Sequence, residues 1–356
     1  MLRVALIFGG RSAEHEISLA SARFVADSLD PARYELVPVG IDRDGRWWRP
    51  ADLDAALDGG LEAGAGAPVT LSVDPARPGL TEAGGGFTPL DFAFPIMHGT
   101  FAEDGTIQGL LELAGLPYAG AGVAASAVGM DKELMKAVFA AHGLPQVDAL
   151  VLRGAEVAGD AALTSVEECF AYPVFVKPCN LGSSVGMTKA HDRGELRVAL
   201  DFAARYDRKV IVEAFADGRE FECSVLGNDE PRASVPGEVM AANEFYDYEA
   251  KYTDGLMSFA IPAPLTDGQT ATVRDLAVRA FRAVDCAGYA RCDFFLERDG
   301  GRILINEINT IPGMTRFSAF PMLWAATGLD AGALMDEIVR LGLERHAARQ
   351  GLLTSR

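Results

Sequence analysis

Short continuous apolar runs, each ended by glycine or proline, alternate with stretches of helical periodicity along most of the chain. The first run, Leu2–Phe8, ends at two glycines and precedes an apolar-periodic stretch that reaches Val25. A continuous run predicts a strand buried on both faces, and a period of about 3.6 residues predicts a helix. Residues Tyr34–Ile41 repeat the strand pattern. The chain is therefore expected to start as an α/β layer wound from strand–helix–strand units.

The stretch from residue 43 to residue 86 has a different pattern. It is rich in Gly, Ala and Pro, is interrupted by aspartates and has weak periodicity. This composition predicts an insertion in the first unit with little structure of its own. The strand pattern resumes at Asp91–Ile96, and a loop then leads into a predicted helix at Leu110–Ala114.

Two further units are predicted after a glycine- and alanine-rich joint near Gly120. The second unit contains a predicted helix at Lys132–His142 and a short strand at Tyr172–Pro178. The predicted strands of the third unit are Val210–Glu213, Glu220–Leu226, Cys292–Glu297 and Arg302–Ile308. We therefore expect three α/β domains, at residues 1–120, 121–212 and 213–356.

Composition limits the classes of function. The 356 residues are 49% hydrophobic and 23% charged, which is enough apolar side chain for several cores. A net charge of −18 opposes general attraction to nucleic acid or to an anionic membrane. No apolar stretch approaches the roughly 18 residues of a membrane span, and the five cysteines are scattered. We expect reduced thiols and a cytoplasmic location.

Two glycine-rich turns are candidates for anion binding. Gly9–Ser12 lies between a strand and a helix, where backbone N–H groups can hold an anion, and Glu14 in the same turn is placed to face a cleft. Glu14 is equally explained as an acidic residue that complements the helix dipole. Gly182–Gly186 follows a strand that carries Lys177, and this loop is either a phosphate cradle or a flexible surface turn. Neither spacing matches a dinucleotide fingerprint or a P-loop.

Polar residues on two late strands predict a metal site. Arg291 and Asp293 are two apart and share one strand face, as do Glu307 and Asn309. If these strands pair, three oxygen ligands converge, and such ligands suit Mg²⁺ bound to nucleotide phosphates. A solvated strand face is the simpler alternative, but the flanking apolar residues favour a buried sheet, where this charge needs partners or a metal.

In their order along the chain, these segments resemble those of D-alanine–D-alanine ligases. The motifs are Gly9–Ser18, His98–Gly105, Phe175–Pro178, Gly182–Met187, Phe245–Tyr252 and Asn306–Met314. The resemblance extends from about Leu2 to Gly328 and implies the three-domain ATP-grasp fold, with an N-terminal parallel-sheet domain. The stretch 43–86 is longer than in the short members of that family, and its length resembles that in the longer subgroup.

The resemblance implies a nucleotide site and a metal site. ATP and Mg²⁺ or Mn²⁺, two ions in the family, are the implied cofactors. Lys132, Lys177 and Lys251 would contact the phosphates, Glu213, Ala214 and Phe215 would line the adenine, and Glu220 would hold the ribose. The implied metal ligands are Asp293, Glu307 and Asn309.

The resemblance also implies the amino-acid site. Glu14 would hold the ammonium of the first D-alanine, with His98 beside it, and Ser318 would place the carboxylate of the second. Arg291 and the Gly313 backbone would face the oxyanion. In relatives, the tyrosine at the position of Tyr252 hydrogen-bonds toward the residues at the positions of Ser183 and Glu14. The loop 244–255 would form a lid that keeps water from an acyl phosphate.

The implied reaction is ATP-dependent ligation of two D-alanines through a D-alanyl phosphate, for peptidoglycan precursors. The implied assembly is a homodimer, with no nucleic-acid or membrane partner. Two alternatives stay open. One is another ATP-grasp ligase, such as one that makes a D-alanine–D-lactate ester or another dipeptide. The other is a regulatory nucleotide-binding protein without turnover, although Arg291, Asp293, Glu307 and Asn309 are all present.

Overall fold

A computed structural model gives the structure of the chain at residues 1–59, 61, 66–182, 185–241, 257–298 and 301–353. Its strands form three sheets that follow one another along the sequence. The predicted mixed α/β class is therefore confirmed.

The first sheet has the strand order β6-β5-β4-β3-β2-β1-β7. Its strands are β1 (Leu2–Gly9), β2 (Tyr34–Ile41), β3 (Trp47–Pro50), β4 (Gly66–Leu71), β5 (Gly79–Glu82), β6 (Phe87–Pro89) and β7 (Phe92–Pro95). The helices in this part of the chain are α1 (His15–Ser28), α2 (Leu53–Gly59) and α3 (Thr106–Leu113). β1 pairs in parallel with β2 and β7, so both strands predicted from apolar runs adjoin the first strand.

Strand β1 is buried on both faces, as its continuous apolar run predicts. Val4, Leu6 and Phe8 point into one core cluster, and Ala5 and Ile7 point into another. Successive side chains of a strand face opposite sides, so an uninterrupted apolar run serves two cores at once. Gly9, the last residue of β1, and Gly10 after it have positive φ and turn the chain toward α1.

The expectation of little structure between residues 43 and 86 was wrong. Strands β3, β4 and β5 and helix α2 lie in this stretch, and β3–β6 extend the first sheet by antiparallel pairing. Each strand has three to six residues, too few for a period to stand out in the sequence. Pairing with the edge of an existing sheet supplies the hydrogen bonds that these short strands lack on their own.

The second sheet has four strands in the order β10-β9-β11-β8. They are β8 (Ala149–Arg153), β9 (Val174–Pro178), β10 (Thr188–Ala190) and β11 (Lys209–Ala214). The accompanying helices are α4 (Val123–Met130), α5 (Lys132–Ala141), the short 3₁₀ helix Gly154–Val157, α6 (Asp160–Cys169) and α7 (Arg193–Ala203). β11 belongs here and not to the third unit, where we expected residues 210–213, because it pairs with β8 and β9.

The third sheet has the order β15-β14-β12-β16-β17, with β13 paired to β12. Its strands are β12 (Gly218–Gly227), β13 (Arg232–Ala233), β14 (Gly237–Ala241), β15 (Met257–Ala260), β16 (Gly288–Glu297) and β17 (Ile303–Asn309). The last helices are α8 (Asp267–Ala283), α9 (Ala319–Ala326) and α10 (Ala331–Gln350). β12, β16 and β17 are antiparallel neighbours, which places the polar residues of all three side by side.

The C-terminal helices complete the first core. Phe320 and Trp324 of α9 and Leu334 and Ile338 of α10 pack in the same cluster as Leu6 of β1. The two ends of the chain thus share one hydrophobic core. The proposed domain boundaries near residues 120 and 212 stay predictions. Within the described ranges, no helix combines the length and the apolar character needed to cross a membrane.

Candidate active site

A cleft of about 640 Å³ lies between the second and third sheets. Its lining includes most of the residues predicted to contact nucleotide or metal, which are Lys132, Lys177, Glu213, Ala214, Phe215, Glu220, Asp293 and Glu307. Gly182 and Leu181 also line it, so the second glycine-rich loop faces the cleft. Residues from four separate sequence segments, around 132, 177–182, 213–220 and 293–307, thus meet in one cavity.

Glu213, at the end of β11, is the centre of a buried ion triad. Its carboxylate lies 2.5 Å from the Lys177 ammonium and 3.0 Å from that of Lys136. Burial by itself would raise the pKa of Glu213, but the charges of Lys177 and Lys136 outweigh burial and hold that pKa at about 2. Burial likewise opposes the charged form of Lys177, but Glu213 raises its pKa, so both partners stay ionised.

Lys132 links helix α5 to the glycine-rich loop. Asp131 caps α5 by accepting from the backbone N–H groups of Glu133 and Leu134. The Lys132 backbone N–H donates to the Cys179 carbonyl at 3.0 Å, and its ammonium donates to the Leu181 carbonyl at 2.8 Å. This lysine is therefore held at the mouth of the loop by both backbone and side chain.

An aromatic wall closes one side of the cleft. The rings of Phe175 and Phe215 are 6.1 Å apart, and the Lys189 ammonium lies 4.4 Å from the centroid of the Phe215 ring. Phe215 is 39% exposed, so part of its ring is open to the cleft. Such a surface suits a flat apolar ligand such as a purine. Glu220 on β12 lines the same cavity.

Strands β16 and β17 pair, as the predicted metal site requires. Asp293 lies directly opposite Glu307, and Arg291 lies opposite Asn309. The Asn309 amide donates to the Asp293 carboxylate at 3.1 Å. The Glu307 carboxylate is 3.7 Å from the Lys132 ammonium, which joins this cluster to the glycine-rich loop.

Arg291 neutralises part of this cluster. Its guanidinium donates two hydrogen bonds of 2.7 Å to the Asp293 carboxylate and lies 3.2 Å from Glu222 on β12. A bidentate pair of this kind fixes the plane of both groups. The arginine predicted to face an oxyanion thus stands beside the carboxylate predicted to bind metal.

The donor set fits a hard divalent cation. Asp293 and Glu307 supply carboxylate oxygens and Asn309 an amide oxygen, the ligands that Mg²⁺ and Mn²⁺ prefer. Among the described residues, no three His, Cys, Asp or Glu side chains are grouped to hold a metal by themselves. A cation here would therefore need oxygens beyond the protein, as phosphate groups provide.

Glu14 lies where the first and second sheets approach each other. It precedes α1 and is 8% exposed. A Cβ atom added to Gly99 would come within 2.7 Å of its carboxylate, and one added to Gly182 within 3.4 Å. A side chain at position 99 would collide with the Glu14 carboxylate, and the φ of +73° there also favours glycine.

Two further titratable groups surround Glu14. Burial lowers the pKa of His98, which keeps its imidazole neutral. Burial and the charge of Glu14 raise the pKa of Glu103 to about 8, although the Gly99 N–H donates to its carboxyl at 3.0 Å. Glu103 therefore carries a proton at neutral pH, and the site avoids placing two negative charges side by side.

Gly313 and Ser318 are neighbours in the loop between β17 and α9. A Cβ atom on Gly313 would lie 3.1 Å from the Ser318 hydroxyl. That hydroxyl accepts from the Thr315 N–H at 3.0 Å and lies 2.8 Å from the Thr315 hydroxyl. The loop is thus tightly folded beside the residues predicted to receive the second substrate.

Ser183, Lys251, Tyr252 and the predicted lid at 244–255 lie outside the described residues. The sequence analysis also missed polar residues that contact the site, which are Lys136, Glu222 and Glu103. Two of them had a usable signal. Lys136 is four residues after Lys132 on one helix, and Glu222 is two after Glu220 on one strand, so each shares a face with a predicted residue.

Comparison with known proteins gives matches over nearly the whole chain. Family models described as the N-terminus and the C-terminus of D-ala D-ala ligase match residues 3–121 and 138–340. The D-alanine–D-alanine ligase of Heliobacterium modesticaldum is 49% identical, over 99% of this chain and 98% of that protein. That of Bacillus cytotoxicus is 46% identical, over 98% of each.

Solved structures agree with these sequence matches. The D-alanine-D-alanine ligase of Coxiella burnetii has a TM-score of 0.86 at 36% identity, covering 98% of this chain and 96% of that one. The VanG D-Ala:D-Ser ligase of Enterococcus faecalis has a TM-score of 0.87 at 33% identity, covering 96% and 99%. The chain therefore has the ATP-grasp fold and belongs to the D-alanine–D-alanine ligase family.

Proposed function

We propose that this enzyme ligates two D-alanines to D-alanyl-D-alanine, with ATP converted to ADP and phosphate, and that the product serves peptidoglycan precursor synthesis. One observation carries the proposal: Gly182 lines the cleft that holds Lys177 and Glu213, and a Cβ atom added to Gly182 would lie 3.4 Å from the Glu14 carboxylate, so the cleft and Glu14 are neighbours. A nucleotide phosphate near the lysines and an amino-acid ammonium near Glu14 would each find an opposite charge, with Gly182 between them. Family members use ATP and a divalent metal, and both have suitable residues here.

The first step would activate a carboxylate. A carboxylate resists nucleophilic attack because the attacking pair must add to an anion. Transfer of the γ-phosphoryl group from ATP to a carboxylate oxygen removes that charge and releases ADP. Lys132 and Lys177 would offset the phosphate charge, while Glu14 would hold the ammonium of the first D-alanine. The product of this step would be D-alanyl phosphate.

The second step would form the peptide bond. The deprotonated amine of the second D-alanine, its carboxylate placed by Ser318, would attack the carbonyl carbon. Arg291 and the Gly313 N–H would stabilise the tetrahedral oxyanion, and its collapse would break the bond to phosphate. Asp293 holds the Arg291 guanidinium in one plane before the reaction begins, so little reorganisation is needed.

Asp293, Glu307 and Asn309 would hold Mg²⁺ or Mn²⁺, two ions by resemblance. When bound, such ions neutralise phosphate charge and orient the terminal phosphoryl group. Glu213, Ala214 and Phe215 would line the adenine, and Glu220 would hold the ribose. Lys251 would contact the phosphates, and Ser183 and Tyr252 would complete the catalytic residues, with Tyr252 hydrogen-bonding toward Ser183 and Glu14.

The proposed assembly is a homodimer in the cytoplasm. Sedimentation of the purified protein would test the dimer. A single species at the monomer mass of 37.8 kDa would refute it.

The function is tested by incubating the purified enzyme with ATP, Mg²⁺ and D-alanine. We expect phosphate release that depends on D-alanine, with equal amounts of D-alanyl-D-alanine by chromatography, and no release with L-alanine. Absence of D-alanine-dependent release would refute the proposal.

The nearest competing function is ligation of D-alanine to a different second substrate. The structural similarity to a D-Ala:D-Ser ligase makes D-serine a useful addition to D-lactate in the assay. We expect the dipeptide of D-alanine to predominate when all three compounds are present in equal amounts. A predominant mixed product would replace the proposed function by that alternative.

A further inference from the structure

Helix α1 presents a buried polar face toward the candidate active site. Glu14, Ser18 and Ser21 stand at positions i, i+4 and i+7, which lie on one side of a helix. Both serines are completely buried. A buried hydroxyl normally has partners, because an unpaired polar group in a protein interior is destabilising.

Ser18 connects two loops of the first sheet. Its hydroxyl accepts from the Gly9 N–H at 2.8 Å and donates to the Ile96 carbonyl at 2.6 Å. Both partners directly follow or end a strand of that sheet. The contacts of Ser18 therefore stay within one unit of the fold.

Ser21 instead connects the first unit to the third. Its hydroxyl oxygen accepts from the Met314 N–H at 3.2 Å and lies 3.0 Å from Nε2 of His98. His98 Nδ1 in turn lies 3.0 Å from the Ile311 carbonyl oxygen. All four residues are at most 4% exposed, so water does not compete for these bonds.

The donor and the acceptor of each bond in this series of hydrogen bonds follow from the groups at its two ends, a carbonyl and a backbone N–H. A carbonyl oxygen only accepts, so His98 Nδ1 carries the proton and donates to Ile311. In a neutral imidazole, Nε2 then accepts, and its donor is the Ser21 hydroxyl. The Ser21 oxygen keeps its lone pairs for the Met314 N–H. Every group has one role, and only one tautomer of His98 satisfies them all.

This chain of hydrogen bonds closes around Gly313. The Ile311 carbonyl and the Met314 N–H are its two ends, and only Pro312 and Gly313 lie between them. Because both ends are tied to the first unit, the peptide between them is held against the site that contains Glu14. Gly313 itself is the residue whose backbone N–H is proposed to face the oxyanion.

We propose that Ser21 is a positioning residue of the ligase, which orients the Gly313 loop and the His98 ring without touching substrate. The inference rests on the proposed function, since the loop matters only if an oxyanion forms beside it. An oxyanion donor works when it is held in place before the reaction. Loss of the Ser21 hydroxyl should therefore lower turnover more than it lowers ATP binding.

A second buried serine, at position 126, provides the matched control. Ser126, in α4, is also completely buried, and in the described part of the molecule its hydroxyl has no hydrogen-bond partner. Ser21→Ala and Ser126→Ala remove the same atom from equally buried sites. Only the first breaks a hydrogen-bond chain between two units of the fold.

The test is steady-state kinetics on the wild type and both variants, with urea unfolding of each. For Ser21→Ala we expect kcat to fall about 10- to 100-fold, as is common when a group that orients an active-site residue is removed, with KM for ATP within about twofold. Ser126→Ala should keep wild-type kinetics. If kcat of Ser21→Ala stays near wild type, or if Ser126→Ala loses as much, the proposal is overturned.

Imidazole NMR on ¹⁵N-histidine-labelled enzyme gives a readout that does not depend on activity. Wild-type His98 should show a protonated Nδ1 and an unprotonated Nε2, and Ser21→Ala should shift the Nε2 resonance. An unmoved Nε2 resonance would overturn the proposal even if activity fell. If instead the wild type lacks D-alanine-dependent turnover, the proposed function fails, while the NMR result still reports on the Ser21 contact.

Discussion

Two groups of charged residues beside the same cleft are built differently. The lysine end consists of Lys136, Lys177 and Glu213, whose side chains are 8%, 11% and 4% exposed. The arginine end consists of Arg291, Asp293 and Glu307, at 18%, 15% and 24%. Both contain opposite charges at hydrogen-bonding distance, but the side chains of the lysine end are more deeply buried.

The difference shows what each group can do. At the lysine end, one carboxylate lies between two ammonium groups, so the charges satisfy one another inside the protein. At the arginine end, Asp293 pairs with Arg291 and Glu307 lies 3.7 Å from the Lys132 ammonium, and both carboxylates line the cleft, so added positive charge is still favourable there. The first arrangement fixes the position of Lys177, which is proposed to contact the nucleotide phosphates, and the second is suited to receiving a cation.

The largest effect is expected from Glu213→Gln. This change leaves two buried ammonium groups without their shared carboxylate, and breaking a buried ion pair typically costs about 3–5 kcal/mol. Urea unfolding should show a loss of this size in the free energy of unfolding. The control is Glu297→Gln, which removes the partly exposed partner of the exposed Arg302 and should cost less than about 1 kcal/mol. Equal losses in the two variants would mean that burial does not distinguish the lysine end.

Next in size is Arg291→Ala, expected to reduce kcat at least about 100-fold, equivalent to about 3 kcal/mol of transition-state stabilisation. Stability should fall as well, because the buried Glu222 carboxylate loses the Arg291 charge 3.2 Å away, so urea unfolding is measured beside the kinetics. Arg302→Ala is a matched control, since Arg302 also makes a bidentate pair, with Glu297, but on the exposed surface. Kinetics of the control should equal those of the wild type, and a similar loss in both variants would contradict a specific role for Arg291.

A smaller effect is expected from Glu103→Gln, and it depends on pH. The pKa of Glu103, raised by burial and by Glu14 to about 8, lies above the unfolded value of about 4.5. Protonated Glu103 is therefore favoured in the folded state, and its stabilisation is complete below about pH 4.5 and lost as pH rises through about 8.

The glutamine variant lacks this loss. The free energy of unfolding of the variant minus that of the wild type should therefore be about 1–3 kcal/mol larger at pH 9 than at pH 5. Urea unfolding at both values measures the gain. Glu168→Gln, an exposed carboxylate of α6, should show no such pH-dependent gain. If Glu103→Gln behaves like Glu168→Gln, Glu103 is ionised at neutral pH.

The smallest effect is expected from Lys136→Met. Lys177 still neutralises Glu213 in this variant, and the methionine fills most of the lysine's volume. The free energy of unfolding should fall by only about 1 kcal/mol, including the lost bond to the Val147 carbonyl. A loss as large as that of Glu213→Gln would show that both lysines are required to balance one carboxylate.

Much of the fold could be predicted from local pattern. The apolar runs of β1 and β2 and the Asp-capped helix α5 follow from short-range rules, because each depends on neighbouring residues. Strands β3–β5 could not be predicted in this way, because their hydrogen bonds come from the edge of an existing sheet. The assignment of residues 210–213 to the third unit failed for a related reason, since partner choice is not encoded in a single strand.

The sequence by itself determined the family, the order of the site motifs and the candidates on each strand face. These depend on residue identity and spacing, which are local and readable. Only the tertiary structure decided that Lys136 completes the Glu213 triad, that Glu103 keeps its proton and that Ser21 reaches Met314. Those properties depend on burial and on contacts between residues up to 293 positions apart, as for Ser21 and Met314, and no periodicity reports such distances.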